Sequence, residues 1–481
     1  MALLRRYAAR LRSQIAGRGF AGQPLPETHP ELLNEGELTP GLAATEYAHR
    51  RKQLAHALPP GCLALVPAAP TVHMSPGGPI PYPYRQDAEF LYLTGLTQQG
   101  VAVIESTSSS AQGKFTLFLP TPTDAEAVWN GRRVTCDTAI ARFGADAAYP
   151  ISQLPQQLHP LVARAPLVFF DANRHVHNPL LLDGISTASP AATELHMLAA
   201  QGRIKSLRAL THNFRWIKSP AEVELMRQSA SVAAGAIGHC IRSTWPGIQE
   251  RQLEALFEFK SKWSGAQRNA YPPVVASGLD ATTIHYARND KVVRDGQLML
   301  MDAGCEMNGY VSDITRTWPV SGSFSPPQRD IYQLVLHVHG QCIAECRPGQ
   351  TLKAIHQKAV RLLSEGVKDL GLFPSLSVDA IERSAYRQCF SHAIGHWLGM
   401  DTHDVASVPH DRHLQPGVVL TIEPGLYFSK DPKYGHYGGI GVRIEDDVAV
   451  TSGEPCVLSD AVPVGLEQIE QLVGSSMHTY R

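Results

Sequence analysis

Two carboxylates inside one predicted β-hairpin constrain this chain more than any other feature. The segments LMLMDAG (298–304) and YVSDITRTW (310–318) read as strands, and between them stands Asn308-Gly309, the pair most favoured in a two-residue hairpin loop. With those residues as the loop, Met307 faces Tyr310, Gly304 faces Asp313 and Asp302 faces Thr315. Alternate residues share a face, so Asp302 is the diagonal neighbour of Asp313, with Cα atoms about 7–8 Å apart. A lone buried aspartate is most often a satisfied turn or cap residue, but a pair on one face of an apolar hairpin needs a counter-charge. Two carboxylates so placed reach a pair of divalent cations about 3.5–4 Å apart. Glycine at 304 fits a close approach to such a site, or simply a loose turn.

Three further segments carry charge into apolar surroundings. TIEPGLYF (421–428) is an apolar strand ending in Glu423, and its Pro424-Gly425 predicts a turn that leaves the carboxylate at the strand end. GVRIEDDVAV (441–450) puts Arg443 and Glu445 on one strand face, and its apolar flanks favour at least one buried carboxylate over a solvated acidic patch. HAIGHWLGMDTHD (392–404) holds His392, His396 and His403; His392 and His396 are four apart, but position 393 is alanine, so the HExxH zinc-protease motif is absent. An oxygen-rich set with a single ligating imidazole favours Mn(II), with Co(II), Zn(II) or Fe(II) as alternatives.

A chain of 481 residues exceeds what one core usually supports, so two or more domains are expected. Up to about residue 175, apolar runs (CLALVPAAP, VAVIES, FTLFLP, PLVFFD) alternate with helical patterns at about 45–58 and 124–143, as in an α/β domain. Residues 173–202 read as connecting structure. A second domain opens near 215, where Ser219, Pro220 and Glu222 form a capping box ahead of a long helix, with further helices at about 248–264, 326–346 and 351–370. The fold class is therefore α/β (α+β). A net charge of -1 gives no electrostatic footprint for nucleic acid, and no stretch is long and apolar enough for a membrane span. Eight cysteines without a Cys-x-x-Cys pair read as reduced, mostly buried thiols. Residues 1–26 carry Arg5, Arg6, Arg10, Arg12 and Arg18 and no acid, the composition of an organellar transit peptide, mitochondrial ahead of plastid.

In their order and flanking residues, Asp302, Asp313, His396, Glu423 and Glu445 resemble the metal sites of the pita-bread metallopeptidases, the family of methionine aminopeptidase, prolidase and aminopeptidase P. HWLGMDTHD, VRIEDD, YRQDAEFLYLTGL (84–96) and WIKSPAEVELMR (216–227) are similar to the aminopeptidase P branch, and TPGLAATEYAHRRKQL (39–54) with the Arg-rich start to its mitochondrial members. The resemblance implies an aminopeptidase P-like N-terminal domain over 40–205 and a pita-bread catalytic domain over 215–465. It implies two divalent ions held by those five residues, with Asp302 bidentate on one metal, Asp313 and Glu445 bridging, and His396 with Glu423 completing the second. Glu423, His392 and His403 would be catalytic; Tyr271, His285, His392, His403 and Arg443 would line the substrate site. The implied reaction removes one N-terminal residue from X-Pro peptides, or from presequence-processed proteins in the mitochondrial matrix, by a homodimer or homotetramer. Prolidase activity on dipeptides, a metal-free creatinase-type hydrolase and an inactive binding module are the alternatives; the last two lack the full ligand set that this chain has.

Overall fold

The computed structural model describes residues 22–76, 78–107, 110–121, 124–171 and 190–476, so the Arg-rich start and part of the 173–202 segment lie outside the described residues. The chain divides into two compact units, Met1–Phe214 and Arg215–Arg481. Among the described residues no helix is long and apolar enough to cross a membrane. All eight cysteines are free, and only Cys136 and Cys456 are not fully buried.

The first unit is built on a six-stranded mixed sheet of β1 (Leu63–Pro67), β2 (Val101–Thr107), β3 (Ser110–Leu119), β4 (Ala147–Pro150), β5 (Val168–Phe169) and β6 (Ile204–Lys205). The order is β4-β3-β2-β1-β5-β6, antiparallel at the central β1-β2-β3 pairings and parallel outside them. Helix α1 (Ala44–Ala57) precedes β1, and α2 (Ala88–Thr94) is capped by Asp87, whose carboxylate accepts the Glu89 and Phe90 amides. Helix α3 (Leu154–Arg164) turns Leu154, Leu158 and Val162 onto Leu63, Leu65, Val101 and Val103 of the sheet, the four-residue spacing that puts three side chains on one helix face. One expectation fails here. Residues 190–200, read from sequence as connecting structure, form a helix, α4 (Pro190–Ala200), with Leu198 fully buried and Leu195 packed against the same core. Its two leucines three apart were too short an apolar pattern to stand out among small residues.

The second unit opens with α5 (Pro220–Arg242), and the capping box is formed: Ser219 Oγ accepts the Glu222 amide at 3.2 Å and Glu222 Oε2 accepts the Ser219 amide at 2.8 Å. Further helices are α6 (Glu250–Trp263), α7 (Pro326–Ile343) and α8 (Leu352–Asp369). They enclose short strands: β7 (Arg268–Asn269), β8 (Val274–Ser277), β9 (Leu298–Ala303), β10 (Cys305–Met307), β11 (Tyr310–Val311), β12 (Ile314–Pro319), β13 (Val419–Ile422), β14 (Gly425–Tyr427), β15 (Gly441–Arg443), β16 (Asp446–Ala449) and β17 (Cys456–Val457). One large core holds them, including Trp216, Trp318 and Trp397.

The hairpin has the register derived from its turn. Met307 pairs with Tyr310 and Asp302 with Thr315, and Asn308 and Gly309 both have positive φ, as the tight turn requires. The ladder is interrupted opposite Asp313, where β9-β12 gives way to β10-β11. Gly304 stands at that break because a Cβ there would lie 1.8 Å from the Ser312 carbonyl oxygen; the close approach is to the opposite strand. A second ladder breaks in the same way. Ile422 pairs with Asp446 before the break and Gly425 with Arg443 after it, an unchanged register that sets Glu423 opposite Glu445. Pro424-Gly425 therefore does not reverse the chain: the strand runs on in the same direction against the same opposing segment, with the ladder interrupted between them. Each break frees the backbone where acidic side chains converge.

Candidate active site

The two interrupted ladders deliver their carboxylates to one cavity of about 510 Å³ in the second unit, lined by Asp302, Asp313, His396, Glu423 and Glu445. His285, His392, His403 and Arg443 line it too. Asp313, His396 and Glu445 each offer a donor atom, and these atoms lie within 4.8 Å of one another.

His396 comes from a segment that runs extended along β13. The Thr421 amide donates to the His396 carbonyl at 2.9 Å, the His396 amide to Thr421 Oγ1 at 3.1 Å, and the Glu423 amide to the Ile394 carbonyl at 2.8 Å. His392 and His396 are thus not on a helix, which is the structural counterpart of the missing HExxH. The His396 Nδ1 faces the Trp397 carbonyl at 3.2 Å, which fixes the ring and turns Nε2 toward Asp313 Oδ2 at 3.3 Å and Glu423 Oε1 at 3.8 Å.

The electrostatics are those of a site missing positive charge. Burial, Asp313 and the other acids hold the Glu445 carboxyl well above its usual range. Burial pushes Glu423 up to about 7, and burial with the neighbouring Asp313 raises Asp302 against the pull of Arg443. Burial disfavours the His396 imidazolium, but Asp313 and Glu423 outweigh it and lift its pKa to about 9. Four carboxylates packed together at this depth are unfavourable as anions by themselves, and their oxygen-rich donor set with one imidazole fits two hard divalent cations. All three acids of the Glu445-Asp446-Asp447 run are buried, so the solvated-patch reading is wrong for the whole run. Asp446 is paired with Arg316 at 2.7 Å, whereas Asp447 accepts the Asp313 amide at 3.2 Å.

Tyr271, which from sequence could simply have packed, lies with its hydroxyl 2.6 Å from Asp302 Oδ1 and 2.5 Å from Asp313 Oδ1. Arg443 Nη2 donates to Asp302 Oδ2 at 2.6 Å, Nη1 to the Tyr427 hydroxyl at 2.9 Å, and Nε to Thr315 Oγ1 at 3.0 Å; Thr315 in turn donates to Glu445 Oε2 at 2.7 Å. His392 Nε2 is 2.8 Å from the Tyr427 hydroxyl and its Nδ1 2.8 Å from the Ala393 carbonyl, so Nδ1 carries the proton and Nε2 accepts from Tyr427. Burial and Arg443 push its pKa down to about 3, which keeps it neutral. The His403 ring packs against His396 with centroids 4.3 Å apart and the rings tilted by 52°, and burial with His396 lowers its pKa. Sequence reading missed Thr315, Tyr427 and the lining residues Ile284, Asp404 and His410. Thr315 was within reach of it, being the residue opposite Asp302 in the derived register.

Fold and site together define a metallopeptidase. The description Metallopeptidase family M24 matches residues 224–452 and Aminopeptidase P, N-terminal domain matches residues 47–169. The chain is 41% identical over 464 residues to the mitochondrial Intermediate cleaving peptidase 55 of Arabidopsis thaliana, covering 95% of this chain and 88% of that one. It is 37% identical over 466 residues to Xaa-Pro aminopeptidase 3 of Homo sapiens, with 94% and 90% covered. Among solved structures, aminopeptidase P from E. coli with the inhibitor Pro-Leu superimposes with a TM-score of 0.83 at 32% identity, covering 91% of this chain and 100% of that one. Aminopeptidase PepP of Pseudomonas aeruginosa gives 0.82 at 36% identity, with 91% and 99% covered. The chain belongs to metallopeptidase family M24, in its aminopeptidase P branch with the pita-bread fold.

Proposed function

We propose that this chain is a dinuclear-metal aminopeptidase that cleaves the first peptide bond and releases one N-terminal residue where the second residue is proline. The observation that carries this reading is the convergence of Asp302, Asp313, His396, Glu423 and Glu445 on one cavity that His285, His392, His403 and Arg443 also line. The five would hold two divalent ions, Mn(II) by the hardness of the donor set. Bound there, the ions supply an activated water at neutral pH and polarise the scissile carbonyl.

The remaining chemistry belongs to the chain. Glu423, whose carboxylate stands 3.6 Å from His392 and 3.8 Å from His396, takes a proton from the attacking water and passes it to the leaving nitrogen as the C–N bond breaks. Arg443, Tyr427 and His392 form a fixed line of hydrogen bonds that orients the His392 ring 3.6 Å from Glu423 Oε2. Tyr271 and Arg443 hold Asp302 in place by hydrogen bonds to its two oxygens, and Arg443 also lines the cavity. His285 and His403 are exposed imidazoles of the wall, and His403, whose affinity for a proton is lowered by burial and by His396, offers a hydrogen bond to the substrate backbone.

The Arg-rich residues 1–26 and the names of the relatives support a mitochondrial address in the matrix, with a plastid as the alternative, and trimming of presequence-processed proteins as a second reading of the same reaction. A homodimer or homotetramer is the oligomer we propose, with 40–205 and 215–465 as its two domains. Kinetics on an Ala-Pro dipeptide and on Ala-Pro-Ala separate this reading from prolidase. Cleavage of the tripeptide after its first residue supports the proposal, and cleavage of the dipeptide alone refutes it. N-terminal sequencing of the mature organellar proteome with and without the protein tests the trimming reading: N-termini longer by one residue in its absence support it.

A further inference from the structure

Asp447 is 1% exposed, its carboxylate forms no ion pair among the described residues, and it accepts a single N–H, that of Asp313, shared between its two oxygens at 3.2 Å each. A buried carboxyl with so little compensation costs stability and asks for another reason to be there. Its cross-strand partner supplies one. Asp447 on β16 pairs directly with Thr421 on β13, and Thr421 grips the backbone of His396 on both sides, accepting its amide at Oγ1 and donating to its carbonyl. One cross-strand pair thus holds the backbones of two site residues 83 positions apart, Asp313 from the hairpin break and His396 from the extended segment. Two residues before Asp447, and so on the same strand face, Glu445 adds the third donor of the group whose atoms lie within 4.8 Å.

We infer that Asp447 and Thr421 are a positioning pair for metal binding: they fix the separation of Asp313 and His396 by hydrogen bonds to the main chain and touch neither ion nor substrate. The inference rests on the proposal that Asp313 and His396 are ligands. Backbone anchoring of this kind sets ligand geometry, and loss of such a support costs about 10–100-fold in metal affinity.

The test is Mn(II) binding to the chelator-treated full chain by titration calorimetry, alongside melting of the metal-free protein, for wild type, Asp447→Ala, Asp447→Asn and Thr421→Val. Asparagine keeps an acceptor oxygen for the Asp313 amide; alanine does not. We expect Asp447→Ala to weaken Mn(II) binding by about 10–100-fold, Asp447→Asn to restore most of it, and Thr421→Val, which keeps shape and loses the acceptor, to weaken it also. Wild-type affinity in folded Asp447→Ala overturns the inference, as does an Asp447→Asn variant as impaired as alanine. Should Asp447→Ala not fold, unchanged affinity in Thr421→Val overturns it instead. A wild-type chain that binds no Mn(II) refutes the metal reading itself, and this inference with it.

Discussion

At the residue scale the site is a balance between buried negative charge and what neutralises it. In metal-free protein, protons do part of that work. Glu423 has a folded pKa near 7, above its unfolded value, and that of His396 is near 9, also above its unfolded value. For both groups the folded state binds protons more tightly, so their contribution to stability is present at low pH. It is lost as pH rises, through about 7 for Glu423 and about 9 for His396. Metal-free protein should therefore melt at progressively lower temperature from pH 5 toward 9, and the gain in melting temperature on adding Mn(II) should grow over the same range. Thermal shifts in chelator and in Mn(II) across that range check this; a metal-induced shift independent of pH would contradict it. Asp313→Ala should abolish activity and metal binding together, read by elemental analysis and peptide turnover. His403→Ala, which removes a ring packed against His396 but no proposed ligand, should retain metal and lose about 10²–10⁴-fold in rate; unchanged kinetics would remove it from the mechanism.

At the scale of elements, two ladders break where the acidic side chains converge, and steric fit holds the hairpin break in place. Gly304→Ala drives a methyl into the Ser312 carbonyl and should destabilise the protein by about 1–3 kcal/mol or more, measured by denaturant unfolding. A variant as stable as wild type would mean the hairpin break is loose. The hairpin was legible in sequence because Asn308-Gly309 fixes the register and the register fixes the faces. The His392–His396 segment was legible only negatively, as a failed helix motif, because residues in an extended edge segment announce no period of their own. Pro424-Gly425 misled for a physical reason: the dipeptide that turns a chain can also interrupt a ladder without reversing the strand, and only the strand opposite distinguishes the two. Asp447 and Thr421 left no mark, since a residue that acts through another residue's backbone is recognisable only once both strands are in place. Tyr427 was hidden likewise, its hydroxyl meaningful only beside His392 and Arg443.

At the scale of the whole molecule, the five site residues span Asp302 to Glu445 and are gathered in the second unit alone. As proposed, they form a metal centre on whose occupancy activity depends. Stoichiometric reactivation tests it most directly: chelator-treated protein is titrated with Mn(II) while release of the first residue from Ala-Pro-Ala is followed by mass spectrometry. The expected result is no turnover without metal and a rate that saturates at about two ions per chain, with alanine and Pro-Ala as the products. Full turnover of the metal-free protein, or none at saturating Mn(II), Co(II) and Zn(II), would contradict it.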